Sequence, residues 1–220
     1  MFRRSTELAL ALICAALLAA CQSAPTSQSA AGSACRSDLP VANGSEQGPA
    51  PAVACTPNDV DKKSVALFTE SLGAMQEERW QDAEVLLAEL TAREPRLPGP
   101  WVNLGIVQSE LGDDETAEAS LKKALELDPN NCAAYTELGL LRRRAGDFLA
   151  AEANYLACVQ RVPDFREAHL NLGILYELYL GRLPEALDAY RAYLALTAED
   201  SRVAGWISNL ERRLGVEQDS

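Results

Sequence analysis

Few residues of this 220-residue chain are equipped for covalent or proton chemistry: six cysteines, one histidine, a run of three arginines and a surplus of carboxylates. A thiol can carry a lipid, a metal or a second thiol, and which of these applies depends on its neighbours and compartment. The lone histidine, His169, has no Cys or His at zinc spacing. The chain holds no phosphate-cradling glycine loop and no G-x-S-x-G elbow. Asp113-Asp114 falls at a predicted turn and reads as solvated helix caps. The expectation is therefore a protein that is not an enzyme, with no cofactor and no metal; an enzyme with an unrecognised site is the remote alternative. Arg142-Arg143-Arg144 is the one basic run. It either meets a carboxylate on a ligand or lies on a solvated helix face paired with nearby Glu. With 20 basic and 32 acidic residues the formal charge is -12, which argues against nucleic acid and anionic lipid surfaces as partners.

The first cysteines must be read with what precedes them. Arg3 and Arg4 form a basic start, and Leu8 to Leu18 is an unbroken apolar run. That run suits a signal-peptide core and is too short to span a bilayer. It ends in Leu18-Ala19-Ala20-Cys21, which resembles the lipobox of bacterial lipoproteins. The resemblance implies cleavage after residue 20, diacylglycerol and acyl (palmitate) chains on Cys21, and a lasting membrane anchor, since two or three chains hold a protein where one does not. The alternative is an ordinary secretory signal. Gln22 stands where the family's inner-membrane retention signal has Asp. For a Gram-negative source this implies the periplasmic face of the outer membrane.

Residues 21–60 are rich in Ser, Ala, Pro and Gly and read as a disordered linker, since they cannot bury enough surface to offset their ordering entropy. As a flexible coil it spans roughly 35 Å. Cys35 and Cys55 lie within it and are candidates for a disulfide in an oxidising compartment. Asn43-Gly44-Ser45 matches a glycosylation sequon, which in this context is a chance match.

Beyond residue 60 the sequence repeats with a period of 34: Pro95, Pro129 and Pro163; Ala83, Ala117 and Ala151; Leu104-Gly105, Leu138-Gly139 and Leu172-Gly173. Trp101, Tyr135 and His169 share one column, and Leu87, Leu121 and Tyr155 another. These columns resemble the tetratricopeptide repeat (TPR), W-x2-L-G-x2-Y, then A-x3-F, then P. Trp101 to Pro129 matches it with Gln108 for the Tyr and Leu121 for the Phe; Arg142 and Tyr176 occupy the Tyr column later. The first unit is degenerate, with Ser71 for Gly, and the last carries one extra residue near Gly181 that shifts its Ala to Ala186 and its aromatic to Tyr190.

The resemblance implies an all-α fold: a right-handed TPR superhelix of four helix pairs over 64–97, 98–131, 132–165 and 166–199. A capping helix at 200–214 follows, within a TPR domain of 61–214, and 215–220 forms a tail. Gly139 and Ala151 are expected where two helices cross closely, and Gly112 and Gly146 where the chain reverses. Val203, Trp206, Ile207, Leu210 and Leu214 recur at three- and four-residue steps after a cap at Asp200, marking the sealing helix. His169, in the Trp101 and Tyr135 column, reads as a packing residue. Residues facing each other in an antiparallel pair share a constant sum of positions; Gly139 with Ala151 and Cys132 with Cys158 share one. The latter are thus candidates for a disulfide or, alternatively, two buried thiols.

By the same resemblance, a partner-binding groove is lined by the first helix of each pair. Its residues are Val102, Asn103, Ile106 and Glu110, then Thr136, Glu137, Leu140, Arg143 and Arg144, then Leu170, Asn171, Ile174 and Glu177. Asn103 and Asn171 match a column with which some members clamp a peptide backbone, and Glu137 interrupts it. The aliphatics imply a floor for an apolar peptide or amphipathic helix; alternatively they pack against neighbouring helices. The functional expectation is a lipid-anchored periplasmic adaptor that binds other envelope proteins. It resembles pilotins in kind, though those have more repeats, and also accessories of energy transducers or cell-wall enzymes. The alternative is a self-associating structural spacer.

Overall fold

A computed structural model describes residues 61–197 and 199–215. The leader of 1–20, the linker, Cys21, Cys35, Cys55 and the Asn43 sequon lie outside the described residues. Those described form the helices α1 (Lys62–Gln76), α2 (Trp80–Arg93), α3 (Pro98–Glu110), α4 (Asp114–Leu127), α5 (Cys132–Arg144), α6 (Phe148–Arg161), α7 (Arg166–Leu175), α8 (Leu183–Ala195) and α9 (Ser201–Leu214). A single π-helical turn, Tyr176–Leu180, continues α7. Among the described residues there is no strand.

The boundaries follow from local chemistry. Asp113, Asn131, Asp147 and Asp200 cap their helices, their side chains accepting the N–H of Thr116, Ala134, Ala150 and Val203 at 3.3, 3.0, 3.1 and 3.3 Å. The second helix of each of the first three pairs stops two residues short of Pro95, Pro129 and Pro163. The residue before each proline is pushed out of helical backbone: Glu94, Asp128 and Val162 have ψ of 62°, 96° and 83°. Within pairs the chain turns through a left-handed residue, Gly112 at φ 85° and Gly146 at φ 79°. In the degenerate first pair the same column holds Glu78, at φ 56°.

Packing explains the small columns. Ala83, Ala117, Ala151 and Ala186 are fully buried. Leu87, Leu121, Tyr155 and Tyr190 are equally buried and lie across the partner helix. A Cβ added at Gly105 would fall 2.7 Å from Leu121 Cγ, while at Gly139 and Gly173 it would strike the rings of Tyr155 and Tyr190. In the first pair Ser71 stands in the glycine column, its hydroxyl turned back onto the Phe68 carbonyl at 2.7 Å.

Successive pairs are joined by one recurring contact. The guanidinium of Arg142 reaches the Glu118 carboxylate, and Tyr176 Oη donates to Glu152 Oε1 at 2.9 Å. Each donor stands 24 residues after its acceptor, so both contacts link the first helix of a pair to the second helix of the preceding one. Cys132 and Cys158 join the two helices of the third pair as a disulfide with Cα atoms 4.8 Å apart.

The last helix continues the repeat. Val203, Ile207 and Leu210 lie 35 residues after Ala168, Leu172 and Leu175, which is one period plus the extra residue. Val203 and Leu210 are fully buried. α9 is thus placed as the first helix of a fifth unit, and Gly215, at φ 67°, takes the turn column. Trp206 is not inside that seam as its spacing implies. It remains 37% exposed and packs at a tilt against Tyr190 with centroids 5.4 Å apart.

Candidate functional site

The helices α3, α5 and α7 contact one another in sequence and present the columns expected to line a groove. The thirteen expected groove residues divide into three groups. Val102, Asn103, Ile106 and Thr136 are buried, 0 to 8% exposed, so they form wall rather than open floor. The adjacent first helices pack alongside one another and take these side chains out of water. Glu137, Leu140, Arg143, Leu170, Asn171, Ile174 and Glu177 are half-buried, and Leu170 and Ile174 also pack against the C-terminal core. Glu110 and Arg144 are exposed.

The polar members are spent differently from the expectation of an amide ladder. Asn171 Nδ2 donates to the Glu167 carbonyl of its own helix at 2.9 Å. Glu177 accepts from Tyr190 Oη at 3.1 Å and from Arg213 Nη1 at 2.8 Å, tying α7 to α8 and α9. Asn103 Nδ2 and Thr136 Oγ1 are buried without a hydrogen-bond partner. Buried polar atoms are nearly always paired, and an orphan costs about 1–3 kcal/mol. The two lie on neighbouring first helices, α3 and α5.

Glu137 stands between Glu110 and Arg144 in electrostatic terms. Burial pushes its carboxyl up to about 7, with Arg144 opposing and Glu110 reinforcing the shift. Arg144 offers little relief, since its guanidinium nitrogens lie 3.9 Å from both Glu110 and Asp114.

The three arginines of the basic run have separate fates. Arg142 is an inter-repeat joint, Arg144 a loose surface pair, and Arg143 lies over the Tyr179 ring at 5.6 Å from its centroid. His169 is a positioned packing residue: its Nε2 is 2.8 Å from the Pro163 carbonyl, which can only accept, so Nε2 carries the proton. Trp101 Nε1 donates to Pro95 at 3.1 Å across the same six-residue offset. Asp113 is a cap, and no group of three His, Cys, Asp or Glu that could hold a metal occurs among the described residues. No helix among them is long and apolar enough to cross a membrane. Reading the sequence missed Tyr155 and Tyr179. The first is visible as an aromatic replacing Leu87 and Leu121 in its column, the second only through the extra residue of the last unit.

Family models described as tetratricopeptide repeat match residues 74–139 and 136–201. Solved structures with similar folds include Pseudomonas aeruginosa PilF (20% identity, TM-score 0.62, covering 69% of this chain and 69% of that one). They also include TTC0263, a thermophilic TPR protein of Thermus thermophilus (24% identity, TM-score 0.61, 68% and 81%). A third is residues 41 to the end of MamA from Desulfovibrio magneticus RS-1 (22% identity, TM-score 0.57, 70% and 87%). No curated protein sequence matches the chain. At these identities the likeness speaks to fold alone.

Proposed function

The chain belongs to the tetratricopeptide-repeat family, a fold that serves as a scaffold for protein–protein interaction, and from that premise we propose that it is a non-catalytic adaptor, lipid-anchored at Cys21, that holds partner proteins in a complex of the cell envelope. The observation that carries the binding reading is the pair of unpartnered buried groups, Asn103 Nδ2 and Thr136 Oγ1, in the groove columns. On α5 and α7 the half-buried Leu140, Leu170 and Ile174 supply an apolar strip for a peptide or helix. The anchor reading is supported by Leu18-Ala19-Ala20-Cys21 after an apolar run, and the absence of Asp at Gln22 directs it to the outer membrane.

Two measurements test this. A photo-crosslinking residue is placed in intact cells at Leu140 or Ile174, and as a control at Val85, which is 69% exposed on α2. Partner adducts from the first two positions and none from Val85 are expected. Adducts from Val85 alone would move binding off this face, and self-adducts alone would favour a self-associating spacer. For the anchor, Cys21→Ser is expected to shift the protein from the outer-membrane fraction to the soluble periplasm. Retention on the membrane would rule the lipid out.

A further inference from the structure

Large apolar side chains left in water are scattered over most of this chain and gathered at one edge. Val65, Val85 and Trp206 stand on three different helices, and Leu196 at the end of a fourth. Leu149, Leu178 and Tyr179 remain 72%, 68% and 44% exposed, and they come from two elements that meet. The meeting point is the contact of the Phe148 and Tyr179 rings, 4.9 Å between centroids, with Leu149 and Leu178 as their chain neighbours. Both elements border turns, α6 opening after Gly146 and the π turn Tyr176–Leu180 closing at Gly181. The regular second unit is charged at the same places: one period before Phe148-Leu149 stand Asp114-Glu115, and two periods before Leu178 stands Glu110. The extra residue completes the change, since the π turn holds Tyr176 on Glu152 while carrying Tyr179 out to Phe148. Single π turns inside α-helices are uncommon and occur often at functional sites.

Size, shape and position select the occupant. The patch is of the order of a few hundred Å², against the roughly 800 Å² that each partner gives to a stable dimer. Leucines about two-thirds exposed are knobs beside turns, with no walls to grip a peptide side chain, and knobs suit a surface that yields. A contact this small is weak between free molecules but effective for a chain already tethered nearby, where the local concentration is high. The lipid on Cys21 supplies that tether. The segment of 21–60, as a coil of roughly 35 Å, ends at the start of α1. First helices run from that edge to the turn edge, and the 15 residues of α1 make it about 22 Å long, within the tether's reach. Tyrosine suits the depth of the headgroups, with an apolar ring and a wet hydroxyl. The formal charge of -12 resists anionic lipid, so the fitting surface is zwitterionic.

We propose that the turn edge of the third and fourth units is a lipid-contacting face, at which Leu149, Leu178 and Tyr179 enter the headgroup boundary of the zwitterionic bilayer that holds Cys21. The anchor alone fixes where the chain is; this second contact fixes which way the scaffold faces. The inference rests on the reading of Cys21 as lipidated and is independent of what the groove binds.

The test uses the protein as the cell processes it, its acyl groups checked by mass, reconstituted in phosphatidylcholine vesicles with brominated lipids that quench tryptophan on contact. Leu178→Trp and, as a control, Val85→Trp each add one fluorophore to the three native tryptophans. Both replace exposed side chains, so the fold is kept, as circular dichroism will verify. The added emission of Leu178→Trp should be blue-shifted and quenched several-fold more than that of Val85→Trp. Combining Leu178→Trp with Leu149→Glu should remove most of that difference. Equal quenching at the two positions, with the chain still held on the vesicles, would overturn the lipid contact and leave the anchor standing. A Leu178→Trp emission that shifts with added envelope proteins but is not quenched by the brominated lipid would overturn it too and assign the edge to a protein. A chain that carries no acyl groups would overturn the anchor and this contact together.

Discussion

The third and fourth units solve the same packing problem with different tolerances. Each closes its helix pair with a tyrosine lying on a glycine, Tyr155 on Gly139 and Tyr190 on Gly173. Each is hung on the preceding unit by a donor to a glutamate 24 residues earlier. The third unit keeps the 34-residue period and is bridged by Cys132–Cys158. The fourth has no such bridge, carries an extra residue in a π turn, and is held from behind by α9 through Arg213–Glu177 and Arg191–Glu211, both at 2.8 Å. The contrast teaches that the period is enforced at the glycine crossing and the inter-unit joint. Between the joint and the turn, the chain is free to carry something extra.

The largest effect should come from the bridge that only the third unit has. We expect the Cys132–Cys158 bond to form in an oxidising compartment; its sequence separation of 26 corresponds to about 3.5 kcal/mol in the chain-entropy treatment. Thermal unfolding of the full chain with and without reductant should show the loss, and hydrogen exchange should place it in α5 and α6. A melting curve insensitive to reductant would sink the expectation. Next come the crossings. Gly139→Ala and Gly173→Ala each force a methyl into a tyrosine ring and should cost about 2 kcal/mol in urea unfolding. Equal costs would mean that the π turn leaves the α7–α8 crossing as rigid as the regular one. A much smaller cost at Gly173 would mean that it lets α7 yield.

The groove columns give a third contrast, since the third unit holds Glu137 where the fourth holds Asn171. Burial raises the Glu137 carboxyl from an ordinary 4.5 to about 7. Between those values the folded chain keeps a proton that the unfolded chain releases, so stability falls as pH rises through that window and levels off above it. Glu137→Gln should remove the slope and gain about 2 kcal/mol at pH 8, with little change at pH 4. Asn171→Ala should leave the slope in place. An unaltered pH profile in Glu137→Gln would show that the carboxylate is well solvated.

How much of this is legible before folding depends on whether a residue's partner lies at a fixed offset. Ala151, Gly139 and Pro163 are readable because each unit confronts the same neighbours, so the same constraint recurs every 34 residues. The facing of Cys132 and Cys158 follows from the antiparallel geometry that pairs Gly139 with Ala151. The groove was legible as a set of columns but not as a surface. How far Asn103 is covered, and whether Asn171 turns onto its own helix, depends on side-chain packing that spacing does not encode. The extra residue near Gly181 is visible by counting. Its absorption into a π turn that sends Tyr179 to Phe148 reflects competition between breaking helix bonds and keeping Tyr176 on Glu152.

The smallest effect compares the turn of the third unit with that of the first, where the repeat has decayed. Gly146 and Glu78 occupy the same column and both have left-handed backbone, at φ 79° and 56°. For glycine that conformation is free of the clash between Cβ and the following carbonyl, which costs another residue roughly 1–2 kcal/mol. Glycine also loses more chain entropy on folding, which takes back part of the gain. Glu78→Gly should therefore stabilise the chain by about 1 kcal/mol, raising the melting temperature by roughly 2–4 °C for a domain of this size. Gly146→Ala should destabilise it by a similar amount. If Glu78→Gly instead lowers stability, the glutamate side chain is making a compensating interaction, and the first unit has adapted to its residue rather than merely tolerating it.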